Sequence, residues 1–174
     1  MTGLRLDGQE KMRTFSFTQT IKSKTEKHIR IIPYKKGYFP SLVNMYDTYK
    51  TLGSVQGLPP VDKGKRLQWV QDIISNGTNL LALFEDNVIG HASLFSIPVN
   101  RAEFFIFIHQ DYQSQGIGTG MTLYSIDWAQ QENLSTIWLS VERKNYVAIA
   151  LYNKVGFKRI GSSGNCREMI LTIN

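Results

Sequence analysis

Cysteine is nearly absent from this chain. Cys166 is the only one, which excludes an intrachain disulfide and any metal site built from several thiolates. Histidine is scarce as well. His28, His91 and His109 are scattered without ligand spacing, so the sequence predicts no metal. No apolar run approaches the ~20 residues that a bilayer span requires, and no membrane partner is expected. The first residues lack the apolar core of a signal peptide, which makes the cytoplasm the expected compartment. Repeats and low-complexity tracts are missing too.

What is present suits one globular domain. The chain has 174 residues, 42% hydrophobic and 20% charged, enough to bury a real core. Its net charge of +6 resides in residues 1–36, which hold nine Lys/Arg against three Asp/Glu, while residues 37–174 hold eleven of each. A basic arm on a neutral body is no nucleic-acid groove, so nucleic acid is not an expected partner. A solvated leader, or contact with an acidic partner or cofactor rim, remains open. Residues 1–27 read as a basic N-terminal extension, either disordered or paired as edge strands, since Thr14 to Thr18 alternates like a strand. Residues 28–174 read as the domain proper.

The pattern of the remainder predicts β-α-α-β-β-β-α-β-α-β-β. His28 to Tyr34 is a first strand, and Pro40 opens a helix that runs through Tyr49. Gly53 to Pro60 is a loop. Asp62 caps a second helix with Leu67, Val70, Ile73 and Ile74 on its apolar face, ended by Asn76-Gly77. Leu80 to Phe84 and Val88 to Ile97 form a hairpin about Glu85-Asp86-Asn87, followed by a strand from Ala102 to Ile108. A helix from Thr119 to Gln131 buries Met121, Leu123, Tyr124, Ile126 and Trp128 in varying degree. A strand from Thr136 to Val141, a helix capped by Asn145, and strands Phe157 to Gly161 and Arg167 to Ile173 complete the order. The fold class is α/β, a mixed and mostly antiparallel sheet. Strands joined by short turns should pair antiparallel, and those flanking the long helix should be parallel neighbours.

Between the strand and the long helix stands Gln113-Ser114-Gln115-Gly116-Ile117-Gly118. A strand, a tight glycine turn and a helix N-terminus make an anion site, because the turn exposes amide groups and the helix start carries partial positive charge. A pyrophosphate is the expected guest. The phosphate loop that needs Gly-Lys-Ser/Thr is excluded, since no lysine follows Gly118 or Gly120. A dinucleotide fingerprint is disfavoured by the late position of the turn. A second constellation follows the next strand: Asn145-x-x-Ala148-x-x-Leu151-Tyr152-x-x-x-Gly156-Phe157. Asn145 and Tyr152 lie about two helical turns apart and share a face. Each motif alone is also compatible with ordinary structure, a loop glycine pair and a capped amphipathic helix.

Together the two motifs resemble the GNAT superfamily of acetyl-CoA-dependent N-acetyltransferases. The likeness is densest from Ala102 to Gly161 and extends over about 140 residues by element order. It implies a splayed parallel strand pair and acetyl-CoA as cosubstrate. It implies that the main chain of Gln113, Ser114, Gln115, Gly116, Ile117 and Gly118, with Thr119 and Gly120, cradles the pyrophosphate. Phe107 and Ile108 would present backbone groups to the pantetheine arm, and a bulge would fall near Ile106 to Ile108. Asn145 would bond the pantetheine amide, and Tyr152 would protonate the leaving thiolate. Glu103 is the first choice for the base, with Glu142 and His109 behind it, and a covalent route through Cys166 is not expected.

The acceptor would be a primary amine attacking directly. Asp47 offers a carboxylate for a cationic amine beside Tyr46 and Tyr49, or else is a surface carboxylate among packed aromatics. The Gln56-Gly57-Leu58-Pro59-Pro60 loop resembles relatives of bacterial protein-lysine acetyltransferases, which favours a protein lysine over a small amine or polyamine. A non-catalytic acyl-CoA-binding module is the alternative of another class. A homodimer is left open.

Overall fold

The computed structural model describes residues 18–50 and 59–173. The elements run β1 (Gln19–Lys22), β2 (His28–Pro33), α1 (Phe39–Asp47), α2 (Lys63–Asn76), β3 (Thr78–Phe84), β4 (Asn87–Ile97), β5 (Arg101–Ile108), α3 (Ile117–Gln131), β6 (Thr136–Glu142), α4 (Tyr146–Lys154), β7 (Lys158–Ser163) and β8 (Cys166–Thr172). Single 3-10 turns at Lys36–Tyr38 and Gln110–Tyr112 precede α1 and α3. The expected order holds from β2 onward. Ahead of it, Gln19–Lys22 forms an edge strand on β2, while Thr14 to Phe17 lie outside the described residues. Among the described residues no helix is long and apolar enough to cross a membrane.

One sheet of 8 strands carries the molecule, in the order β1-β2-β3-β4-β5-β6-β8-β7. Every neighbouring pair is antiparallel except β5 and β6. Local chemistry sets these elements. Asp62 accepts from Lys65 N–H at 2.8 Å to start α2. Glu85 and Asp86 both take left-handed φ, 49° and 65°, the conformation a tight hairpin turn requires. Asn145 Oδ1 accepts from Ala148 N–H at 3.1 Å to start α4.

Each face of the sheet buries its own core. Ile29, Ile31, Leu80, Ile89, Phe104, Ile137 and Leu139 meet Met121, Tyr124 and Trp128 of α3 and Ile149 and Tyr152 of α4 on one face. Ile32, Leu81, Leu83 and Val88 meet Leu42, Met45 and Tyr46 of α1 and Val70 of α2 on the other. Two expected core residues are outside it. Leu67 is 39% exposed and Leu123 46%. On α2 the buried stripe centres on Arg66, Val70 and Ile73, and a spacing of 100° per residue leaves Leu67 at its far edge. On α3, the small Thr122 and Ser125 lie against the sheet and return their hydroxyls to the carbonyls of Gly118 and Met121, at 2.8 and 2.9 Å. That turns Leu123 outward.

The parallel pair opens. β5 and β6 are matched only at Arg101–Thr136, Ala102–Ile137 and Glu103–Trp138. Beyond Glu103 the two strands part. The bulge expected near Ile106 to Ile108 is not there: the β4–β5 register is continuous from Gly90–Ile108 to Ile97–Arg101. The opening comes from the end of β5–β6 pairing after Glu103, not from an extra residue in β5.

Candidate active site

The parting of β5 and β6 leaves a cleft of about 940 Å³ that crosses the sheet. Glu103, Phe104, Phe105, Ile106 and Phe107 line it from β5; Ser140, Val141 and Glu142 line it from β6. Asn145 and Tyr152 of α4 also reach it, so their shared helical face does point at one space.

Main-chain direction along β5 follows from the pairing. His109 N–H donates to Ile89 O at 2.9 Å, and hydrogen-bonded pairs alternate along an antiparallel ladder. Phe107 and Phe105 therefore spend their main chain on β4. Ile106 and Ile108 turn theirs towards the opening. This corrects the role expected of Phe107: it enters the cleft through its ring, and within the stretch Ile106 to Ile108 it is Ile106 and Ile108 whose main chain faces the opening. Ile108 keeps its N–H for the opening, but its carbonyl already accepts from Gln113 Nε2 at 2.9 Å. Gln113 thereby ties the glycine turn to β5.

The turn itself has the features of an anion cradle. Gly116 sits at φ +88°, a conformation in which a side chain is strained, although nothing lies within 4 Å of the position a Cβ would take. The helix begins at Ile117, two residues earlier than expected, and Gly116 provides no side-chain cap. The first helical bond runs from Gly120 N–H to Gly116 O at 3.1 Å, which leaves the amides of Ile117, Gly118 and Thr119 ahead of it. A Cβ on Gly118 would come within 3.1 Å of Leu151, so glycine there lets α4 approach the turn. The β1–β2 hairpin braces the same turn. Lys24 N–H donates to Gln115 O at 3.1 Å, and Thr25 Oγ1 donates to Gln115 Oε1 at 2.7 Å. Nothing in the sequence marked this contact, which joins residues far apart in the chain. Ser114 takes φ 60°, which completes the tight bend before Gly116.

Tyr152 is 6% exposed and packs its ring against Phe104 and Phe157, with centroids 6.5 and 5.6 Å away. Burial pushes its phenol well above the usual tyrosine range, so it holds its proton. Among the described residues its hydroxyl has no hydrogen-bond partner in the protein. Asn145 uses its side-chain oxygen as the cap of α4, and among the described residues its amide nitrogen has no hydrogen-bond partner. Glu103 is exposed at the last matched position of the parallel pair, where the cleft begins. Glu142 and Cys166, paired across β6 and β8, share the cleft wall. His109 is not itself in the lining: its ring contacts Thr48 Oγ1 at 3.2 Å and Nε2 of Gln110, which does line the cleft, at 3.0 Å.

Asp47 is likewise outside the cleft. Arg66 donates to Asp47 Oδ1 from Nε and Nη2 at 2.9 and 2.7 Å and to the carbonyls of Pro60 and Val61 at 2.8 Å. It is a structural clamp on the loop ahead of α2. Of that loop, Gln56 to Leu58 lie outside the described residues. Tyr46 is buried, and its hydroxyl meets His91 Nδ1 at 2.7 Å. His91 Nε2 meets Asn79 Oδ1 at 2.9 Å, and burial lowers the imidazole pKa to about 3. The ring is thus neutral and donates from Nε2 while Tyr46 donates to Nδ1. Tyr49, by contrast, does line the cleft.

The sequence profile of the Acetyltransferase (GNAT) family matches residues 40–157. The [ribosomal protein bS18]-alanine N-acetyltransferase of Escherichia coli K12 is 33% identical over 85 residues, 49% of this chain and 51% of the relative. The chain thus spans about half the length of the curated relatives it matches first. The acetyltransferase of the GNAT family from Streptococcus pneumoniae superposes with a TM-score of 0.70 at 20% identity, over 84% of this chain and 99% of that one. The PaiA N-acetyltransferase of Thermoplasma acidophilum in complex with coenzyme A gives 0.67 at 22% identity, over 83% and 98%.

Proposed function

This chain belongs to the GNAT acetyltransferase family, and on that premise we propose that it moves an acetyl group from acetyl-CoA to a primary amine by direct attack. One observation carries the reading: the proton-holding phenol of Tyr152, without a hydrogen-bond partner among the described residues, lines the same cleft between the parted strands as Gln113, the first residue of the glycine turn. The turn from Gln113 to Gly120 suits a pyrophosphate, because Gly116 leaves room for close approach and the first amides of α3 point out of the helix end. The free main-chain edge of Ile106 and Ile108 suits an extended pantetheine arm, with the Asn145 amide nitrogen beside it.

The amine must attack in its neutral form, since an ammonium has no lone pair. Glu103 stands at the mouth of the cleft and would take the proton, directly or through water. The nitrogen lone pair forms the new C–N bond at the acetyl carbon. Main-chain N–H of Ile106 would stabilise the oxyanion. Collapse breaks the C–S bond, Tyr152 gives its proton to the departing thiolate, and the surplus proton on the new amide nitrogen leaves to water and restores the phenol. Cys166 shares the wall but has no place in this sequence of steps.

The preference for a protein lysine rests on the loop from Gln56 to Pro60, and Asp47 no longer supports a cationic acceptor there, because Arg66 occupies it. The acceptor class of this proposal is therefore a primary amine, lysine included. Thiol release from acetyl-CoA tests it, with and without amines, in wild type and Tyr152→Phe. Amine-dependent release that Tyr152→Phe slows is the expected result. Equal background release in both, with CoA still bound, would make the chain an acyl-CoA-binding module instead.

A further inference from the structure

The half of the cleft on the α1/α2 side is walled by rings. Phe105 and Phe107 alternate onto that face from β5, with centroids 5.5 Å apart. Phe95 stacks on Phe105 at 5.5 Å and 26°, Tyr49 meets Phe107 edge-on at 5.7 Å, and Trp69 of α2 lies 6.4 and 5.9 Å from Phe105 and Phe107. All of these line the cleft, and all are only half-buried. A strip of partly covered aromatic surface this continuous is unusual on a protein surface unless something apolar covers it. The wall is also rigid. Behind Phe105 and Phe107 stands the Tyr46–His91–Asn79 chain of hydrogen bonds, with Tyr46 edge-on to Trp69 at 5.1 Å and to Phe107 at 5.7 Å.

The charges of the cleft argue in the same direction. Glu103 and Glu142 are matched by Lys50 and Lys144 in its lining, so no surplus of carboxylates awaits a polycation. A peptide would bring amide groups that need partners. The β4 edge of β5 is fully paired and the wall presents rings, so main-chain partners for a peptide lie only across the cleft, on the parted edges of β5 and β6.

Given acetyl transfer to an amine, we infer that the acceptor is a small primary monoamine on an aromatic or bulky apolar body, seated against Tyr49, Trp69, Phe95, Phe105 and Phe107. The rings hold the body and, before deprotonation, attract the ammonium across their faces. Glu103 then meets the nitrogen where the wall ends.

The test uses 2-phenylethylamine, spermidine and a lysine-containing peptide as acceptors, together with calorimetry of 2-phenylethylamine on CoA-loaded protein. The expected result is a kcat/KM for 2-phenylethylamine about tenfold or more above the other two. Trp69→Ala should raise its KM about tenfold with the KM for acetyl-CoA unchanged, and Trp69→Phe should fall between. Phe95→Ala, at the outer end of the strip, repeats the comparison should Trp69→Ala fail to fold. Faster turnover of spermidine or of the peptide overturns the inference and leaves acetyl transfer standing. If no amine is acetylated, acetyl transfer falls while Trp69-dependent binding of 2-phenylethylamine still supports the wall. Absence of that binding overturns it.

Discussion

Tyr152 meets Phe104 edge to face, with ring centroids 6.5 Å apart and planes at 82°, just where β5 leaves its parallel partner. The contact fixes the phenol at the edge of the opening without using its hydroxyl. Tyr152→Phe keeps the packing and removes only the proton donor. It should lower kcat by about a hundredfold, within the range of a general acid, and leave the KM for acetyl-CoA within about twofold. Steady-state kinetics and a melting temperature separate this from a folding defect.

Glu103 is the proposed base, with Glu142 and Cys166 nearby in the wall. Glu103→Gln should lower kcat/KM for the amine by about tenfold to a hundredfold, and the loss should shrink at alkaline pH, where more amine is already neutral. Cys166→Ser should change the rate by less than about twofold. Mass spectrometry of the stalled protein should show no acetyl group on Cys166.

Gly116 owes its place to its φ of +88° and not to crowding. Gly116→Ala should therefore cost about 1–2 kcal/mol of stability and weaken CoA binding, whereas Gly116→Asn should do less harm in both, because Asn tolerates left-handed backbone. Denaturant titration and calorimetry of CoA binding check the order.

The brace from β1 to the turn runs through Thr25 and Gln115. Thr25→Val should raise the KM for acetyl-CoA by about threefold, the loss expected of one exposed hydrogen bond, with kcat unchanged. An unaltered KM would make the hairpin a bystander.

His91 couples stability to acid. Its pKa in the fold is about 3, below the value of 6.5 in an unfolded chain, so the unfolded state binds the extra proton between these values. Its contribution is complete above about pH 6.5 and is lost as pH falls towards 3, by about 1.4 kcal/mol for each pH unit. His91→Gln should be less stable than wild type at pH 7 but should lose less on going to pH 4.5. Urea unfolding at both values measures this.

The element order and the two cofactor motifs could be read from the chain because they are local. The glycine turn, the cap at Asn145 and the alternation in Phe104 to Ile108 each depend on neighbours within a few residues. What could not be read depends on pairing across the sheet. Which of Ile106 and Phe107 turns its amide to the opening is decided by the register with β4. The splay of the parallel pair was implied by the resemblance, but the point where it begins, after Glu103 and Trp138, shows only in the pairing. Asp47 looked available because Arg66 lies on another helix. The aromatic wall was half visible: Phe105 and Phe107 share a parity, but Trp69 and Tyr49 join them only in the fold.

Amide-resolved NMR of the protein titrated with CoA tests the central claim most directly. Shifts should concentrate at Ile106 and Ile108 and at Gly116 to Gly120, with Phe105 and Phe107 amides, held by β4, moving little. Shifts confined to the outer surface of α1 and α2, with the glycine turn and the β5 edge unmoved, would contradict the account.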